Sequence, residues 1–105
     1  DIKTLWSVEG TSEWIRYDLG VSNTIGKVSI IWNKGDVRQQ IFEIQVSDDD
    51  INYKTVFDGK AAGNLLDQFE DYALPENTSG RYVRIFCKGN TVSNWNAIKE
   101  IIIYN

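Results

Sequence analysis

The chain of 105 residues has no histidine and no methionine, a single cysteine and a single proline. Without histidine, neither a Ser–His nor a Cys–His nucleophile pair can be assembled. A lone Cys87 excludes an intrachain disulfide. It closes the run Val83-Arg84-Ile85-Phe86-Cys87 in step with Val83 and Ile85, which reads as a buried structural thiol rather than a nucleophile. No apolar run approaches the roughly 18–20 residues of a membrane-spanning helix, and no stretch reads as a signal peptide. Positive charge is in the minority: 11 Lys and Arg stand against 15 Asp and Glu, a net charge of −4. General binding to nucleic acid or to an anionic membrane calls for a basic surface, so both are disfavoured, although a local basic patch can exist on an acidic whole.

What is present is an ordinary globular balance, 42% apolar and 25% charged, with four Trp, five Tyr and four Phe. The length fits one domain, residues 1–105, able to bury a core of its own. Short segments alternate with a period of two. Ile15, Tyr17 and Leu19 alternate with Trp14, Arg16 and Asp18. Phe42, Ile44 and Val46 alternate with Glu43, Gln45 and Ser47. Further strands are expected over 27–32, 53–57, 69–74, 82–87 and 98–104, the last carrying Ile101-Ile102-Ile103, apolar on both faces as in a covered central strand. Residues 1–9 are too short and mixed for a helix and read as a loop bringing Trp6 to the core. Trp14 and Trp32 are also expected mainly in the core. A helix over 61–70 is interrupted by Gly63 and Asn64. Asp48-Asp49-Asp50 reads as a turn, since the alternating acids and distal Glu of an EF-hand are missing. Asn77-Thr78-Ser79 is a glycosylation acceptor only on a eukaryotic secretory route. Seven or eight short strands with turn signals about every ten residues and no amphipathic helix describe an all-β, antiparallel sandwich.

Chemistry concentrates in two polar segments. In 28–38, VSIIWNKGDVR, an apolar β-run passes Trp32 and turns into Lys34, Asp36 and Arg38 around Gly35. Two cations and an anion beside an indole are the ingredients of a polar-ligand site, and also of a plain solvated loop. In 88–95, KGNTVSNW, a cation, two amides at Asn90 and Asn94, and Trp95 lie close together. Amides both donate to and accept from hydroxyl groups, an indole presents a flat apolar face, and an Arg fork matches a carboxylate. Set against this, Trp95 could cover one end of the core, and Asn90 could serve only the turn after Gly89.

Five segments in order carry a family resemblance: Asp1-Ile2-Lys3-Thr4-Leu5-Trp6 (D-x-x-T-x-W), Trp14-Ile15-Arg16-Tyr17-Asp18-Leu19-Gly20, Phe42-Glu43-Ile44-Gln45-Val46-Ser47, Arg81-Tyr82-Val83-Arg84-Ile85 and Ile98-Lys99-Glu100-Ile101. The chain resembles the discoidin or coagulation-factor C-type (F5/8 type C) domains, and in particular the family 32 carbohydrate-binding modules. The resemblance implies a jelly-roll β-sandwich of the galactose-binding-domain-like type. Members usually carry a further strand ahead of the D-x-x-T-x-W segment, so the resemblance implies either that this strand is lacking here or that another segment supplies it. It also implies a structural calcium held by Asp1, Thr4 and Glu100, and a sugar site in loops 8–12, 33–39 and 88–95. The carried-over sugar-binding set is Glu9, Lys34, Asp36, Arg38, Asn90, Asn94 and Trp95, with the two carboxylates accepting from hydroxyls or orienting the cations.

The W-x-K-G-D-x-R and G-N-x-x-x-N-W segments are similar to those of modules attached to alginate lyases. The function expected is a non-catalytic module for a polysaccharide, acidic and uronate-like, that targets an appended polysaccharide-degrading domain outside the cell or at its surface. The alternatives are a discoidin-type adhesion domain for a neutral galactose-type glycan, a phospholipid or a protein. An enzyme is disfavoured, because no motif pairs the carboxylates for acid–base work.

Overall fold

In the computed structural model, which describes residues 5–105, the strands are β1 (Trp6–Glu9), β2 (Glu13–Thr24), β3 (Lys27–Trp32), β4 (Gln40–Ser47), β5 (Lys54–Lys60), β6 (Glu70–Ala73), β7 (Ser79–Asn90) and β8 (Trp95–Tyr104). They form two four-stranded sheets, ordered β1-β8-β3-β6 and β2-β7-β4-β5, with all neighbours antiparallel. The described residues contain no helix. The all-β sandwich expected from the alternation is what forms.

The alternating residues explain where the core lies. Phe42, Ile44 and Val46 of β4 and Val83, Ile85 and Cys87 of β7 point inward from one sheet. They meet Val28, Ile30, Trp32, Tyr72 and Ile98 from the other. Phe42 is the centre: its ring lies 4.7 Å from that of Trp32 and 5.0 Å from those of Phe57 and Tyr72. Such packed ring pairs add about 0.5–1.5 kcal/mol each beyond area burial. The polar tips are satisfied. The Trp32 indole N–H donates to the Tyr72 hydroxyl at 2.8 Å, and that hydroxyl donates to Glu70 at 2.8 Å. Burial raises the Tyr72 phenol and pushes the Cys87 thiol up to about 12, so Cys87 is the inert core residue its position suggested.

Three expectations need correction. Residues 6–9 are not loop but strand β1, which among the described residues pairs only with β8, Trp6 opposite Ile98 through Glu9 opposite Trp95. Trp14 is not core: it lies on an edge strand with 49% of its surface exposed. Ile101, Ile102 and Ile103 are only half-buried: Ile101 and Ile103 pack against the core, and Ile101 also lines a cavity with Trp6, Ile15 and Tyr17, so this end of β8 is not a fully covered central strand.

One end of the sandwich is held by a single amide. Asn96, fully buried on β8, donates from its side-chain nitrogen to the carbonyls of Val8 (3.1 Å) and Gly10 (2.8 Å). Its oxygen accepts from the Gly89 amide and from Gln40 Nε2, both at 2.7 Å. Two donors and two lone pairs are the whole capacity of an amide, and all four positions are used. They tie together the loops that leave β1, enter β4 and leave β7. Backbone bonds finish the frame: Gly10 N–H to the Asn94 carbonyl, Asn33 N–H to the Ala97 carbonyl, and Thr91 N–H to the Gln39 carbonyl.

Substituting Asn96→Ala leaves the buried Gly89 amide and the half-buried Val8 and Gly10 carbonyls without this partner and removes one of the acceptors of Gln40. Each unpaired group costs about 1–3 kcal/mol, so the expected loss is about 3 kcal/mol or more in urea unfolding. A loss below about 1 kcal/mol would mean that water replaces the amide and that the frame does not depend on it.

Acid should weaken the fold in a defined window. Lys88 donates to Glu43 at 2.7 Å, helped by Thr55 and Gln45, and holds that carboxyl at about 2 against an ordinary 4.5. The Arg81 fork, with the Gly20 amide, likewise holds Asp18 at about 2. A carboxyl lowered in the folded state stabilises the fold above its unfolded value, and that stabilisation is lost as pH falls through the folded value. The urea midpoint is therefore expected to drop between about pH 4.5 and pH 2, and to drop less steeply in Glu43→Gln. A midpoint that stays level across that interval in the unsubstituted chain contradicts the assignment.

Candidate functional site

Loop 33–39 joins β3 to β4 beside the framed end. Gly35 is required there by space: a β-carbon would stand 2.5 Å from the Leu65 carbonyl oxygen. Its neighbour Lys34 takes the left-handed region at φ 56°, a conformation that costs a residue with a β-carbon on the order of 1–3 kcal/mol and that surrounding structure must hold. The turn is closed by Val37 N–H donating to the Lys34 carbonyl at 3.2 Å. Arg38 follows, its Nε donating to the Asn33 carbonyl at 3.3 Å. This bond anchors the side chain by one nitrogen and leaves the rest of the fork available.

Across from this loop stands Trp95, the first residue of β8, 44% exposed. Its backbone is fixed on both sides. The carbonyl accepts from Asn90 at 2.8 Å and the amide donates to Ser93 Oγ at 3.3 Å. Ser7, Asn33, Lys34, Arg38 and Trp95 together line an open cleft of about 330 Å3, at the small end of the roughly 300–1,000 Å3 of ligand pockets.

The electrostatics of this cleft differ from those of the surface around it. Among the other described cations five are ion-paired, Arg16 with Asp50, Lys27 with Asp71, Arg81 with Asp18, Lys88 with Glu43 and Asp58, and Lys99 with Asp67, while Lys54, Lys60 and Arg84 are not. Lys34 and Arg38 make no ion pair with any described carboxylate. Two cations facing one cleft repel each other unless an anion comes between them. The arrangement offers a carboxylate a fork and a point charge, offers hydroxyls the Asn33 amide and Ser7 hydroxyl, and offers a ring the Trp95 face.

Of the expected sugar-binding residues, the structure therefore brings together Lys34, Arg38 and Trp95. Glu9 sits at the rim, exposed and directly opposite Trp95 across the β1–β8 ladder. Asp36 is exposed on loop 33–39 but does not line the cleft. Asn94 is exposed on the neighbouring turn, also outside the lining. Asn90 is corrected: it is 8% exposed, and its side chain accepts from the amides of Val92 and Ser93 and donates to Ser93 Oγ and the Trp95 carbonyl. Its capacity is spent building the turn, so it has nothing left for a ligand. Lys88 is likewise committed to Glu43 and Asp58 on the sheet face. Ser7 and Asn33 are lining residues that the sequence did not single out.

Asp1 and Thr4 lie outside the described residues. Glu100 is half-buried on β8, opposite Ile31. No group of three or more acidic or thiol ligands occurs among the described residues, which leave out two members of the expected calcium set. A larger cavity of about 410 Å3 opens between Trp6, Ile15, Tyr17 and Ile98–Ile101. Its walls are mainly apolar and its one cation, Lys99, is paired with Asp67, so the smaller charged cleft is the better ligand site.

Comparison with known proteins agrees with this architecture. The family model described as F5/8 type C domain matches residues 1–101. The solved structure of the CBM32 of AlyQ in complex with 4,5-unsaturated mannuronic acid is 32% identical with a TM-score of 0.93, over 100% of this chain and 80% of that one. A truncated AlyQ with CBM32 and alginate lyase domains matches equally well, and there the chain spans only 27% of the protein. A pectin binding carbohydrate binding module is 26% identical, with a TM-score of 0.91 over 100% of this chain and 74% of that one. No curated protein matches the chain in sequence. With the family model covering nearly all of the chain and a relative above 30% identity matched along its whole length, the chain belongs to the F5/8 type C domain family, among its family 32 carbohydrate-binding modules.

Proposed function

We propose that the cleft binds an acidic oligosaccharide, with a uronate carboxylate on the Arg38 fork and Lys34, its pyranose ring against Trp95, and its hydroxyls on Ser7 and Asn33. The observation that carries this is that two cations without a carboxylate partner, Lys34 and Arg38, line one cleft together with the exposed Trp95 indole. A relative that holds an unsaturated mannuronic acid on the same fold supports the choice of ligand. The module is non-catalytic in this reading: no lining residue is a carboxylate, histidine or tyrosine able to serve as general acid or base. Its use would be to hold an appended polysaccharide-degrading domain on its polymer, as the AlyQ arrangement of CBM32 and alginate lyase domains suggests, at a secreted or cell-surface location.

One observation favours a second reading. Val37 and Val92 are exposed at the tips of the two loops joined through Gln39 and Thr91, near Lys34 and Arg38. Apolar tips beside cations suit a lipid surface. Two valines bury too little, about 1.5–3 kcal/mol each at best, to hold a chain of net charge −4 on an anionic membrane. Pelleting with phosphatidylserine vesicles should leave the protein in solution.

Affinity for a short uronate oligomer is expected in the micromolar to millimolar range, about −4 to −8 kcal/mol, and to weaken modestly as salt rises, because few charges take part. Arg38→Ala should lose about 1.5–3 kcal/mol in calorimetry, since the carboxylate is left unpaired. Trp95→Ala should lose about 1–2 kcal/mol of ring contact. Both variants should melt like the parent. Unchanged affinity in Arg38→Ala, or equal binding of a neutral oligomer of the same length, would remove the cations as the readers and leave a neutral glycan as the ligand.

A further inference from the structure

The outer face of the β2-β7-β4-β5 sheet carries a second indole beside an arginine without a carboxylate. Ile15 and Tyr17 turn inward from β2, so Trp14 and Arg16 point out. In the β2–β7 ladder Trp14 stands opposite Phe86, Arg16 opposite Arg84, and Asp18 opposite Tyr82. Three aromatic residues and two arginines thus share one outer face with Asp18 and, from β4, Glu43 opposite Phe86. Like charges directly opposite on a ladder are destabilising. Arg16 is relieved by its ion pair with Asp50. Arg84 is not: its only hydrogen bond runs from Nε to Gln45 Oε1 at 2.7 Å, and none of the ion pairs among the described residues includes it. Aromatic rings hold its plane in place instead, Tyr53 at 3.8 Å, Trp14 at 5.2 Å and Phe86 at 6.0 Å from the guanidinium carbon. Trp14 keeps 49% of its surface exposed next to it.

We propose that this face is a second binding site for the same class of ligand, an acidic polysaccharide strand, with a sugar ring on Trp14 and a uronate carboxylate on the terminal nitrogens of Arg84. The ligand class rests on the function proposed for the cleft. The local chemistry repeats that cleft, an exposed indole next to a guanidinium anchored through Nε alone. The face is nonetheless independent of it. Ser7 and Trp95 lie on the outside of one sheet and Trp14 and Arg84 on the outside of the other, with the whole core between them. One short oligomer cannot occupy both. A polymer can, either by looping round the end or by supplying two strands, and two weak sites joined by a rigid body then act with avidity.

Calorimetry with a mannuronate tetrasaccharide tests this through stoichiometry. Two sites per chain are expected, falling to one in Trp14→Ala and in Arg84→Gln, with the remaining site lost in Trp14→Ala/Arg38→Ala. Retention on immobilised alginate should fall about tenfold or more in Trp14→Ala while the cleft still binds. Circular dichroism and melting curves check that each variant folds, and Trp14, exposed on an edge strand, is the variant that perturbs the core least. One site per chain, with Trp14→Ala and Arg84→Gln titrating like the parent, overturns the sheet site and leaves the cleft intact. Loss of binding in Arg38→Ala alone, down to zero sites, does the same. Unaltered titration in Arg38→Ala with a response in Trp14→Ala instead overturns the cleft reading. Absence of any uronate binding overturns both. If Trp14→Ala abolishes self-association in sedimentation without changing glycan binding, the face is a protein interface and the proposal fails.

Discussion

The Asn96 side chain is the contact on which the rest of the binding end depends. A fully buried amide is costly unless all its groups are paired, and here the four partners come from three segments that are distant in sequence, the end of β1 (Val8 and Gly10), the start of β4 (Gln40) and the end of β7 (Gly89). Satisfying one residue therefore fixes three chain segments relative to each other. Trp95 is its neighbour on β8, Glu9 lies between two of its acceptors, and loop 33–39 ends at its donor Gln40. The cleft inherits its shape from this knot, so a ligand meets side chains already in position and little ordering has to be done on binding.

Charge supplies the second constraint. Half of the described cations have a carboxylate partner, and Lys34 and Arg38 are the two without one that line a common cleft. Lys34 and Arg38 are set apart by their loop: the left-handed turn at Lys34 and the close approach of Gly35 to Leu65 fix its path, while Asp36 remains outside the lining. The overall negative charge then works as a filter. It disfavours broad adhesion to anionic surfaces and leaves a small attractive spot at short range, within the roughly 8–10 Å over which charge is felt at ordinary salt.

The sandwich was legible because alternation maps directly onto burial. Phe42, Ile44 and Val46 point inward as their period requires, and the strand at Lys27–Trp32 appears where its apolar run stands. The site was legible in part. Lys34, Arg38 and Trp95 announce their chemistry, whereas Asn90, Asn94 and Asn96 are the same residue type within seven positions and do three different things. One builds a turn, one is exposed, and one is the buried knot. Only three-dimensional partners separate them, because an amide's role is set by what its four positions meet. Trp14 was misplaced for a related reason. Tryptophan is apolar enough to read as core, but its outward phase on an edge strand leaves it in solvent. Strand β1 escaped notice because four residues paired on one side carry too little periodicity to register.

The central claim is that the Arg38 guanidinium reads a carboxylate in a cleft whose other wall is Trp95. The most direct measurement is a titration followed by NMR at the Arg38 Nε–H and the Trp95 indole N–H, comparing a uronate oligomer with its carboxyl-reduced counterpart. Both resonances are expected to shift with the uronate, and the indole alone to shift, more weakly, with the reduced sugar. An Arg38 resonance that stays in place while the uronate binds, or that moves equally with both sugars, would contradict it.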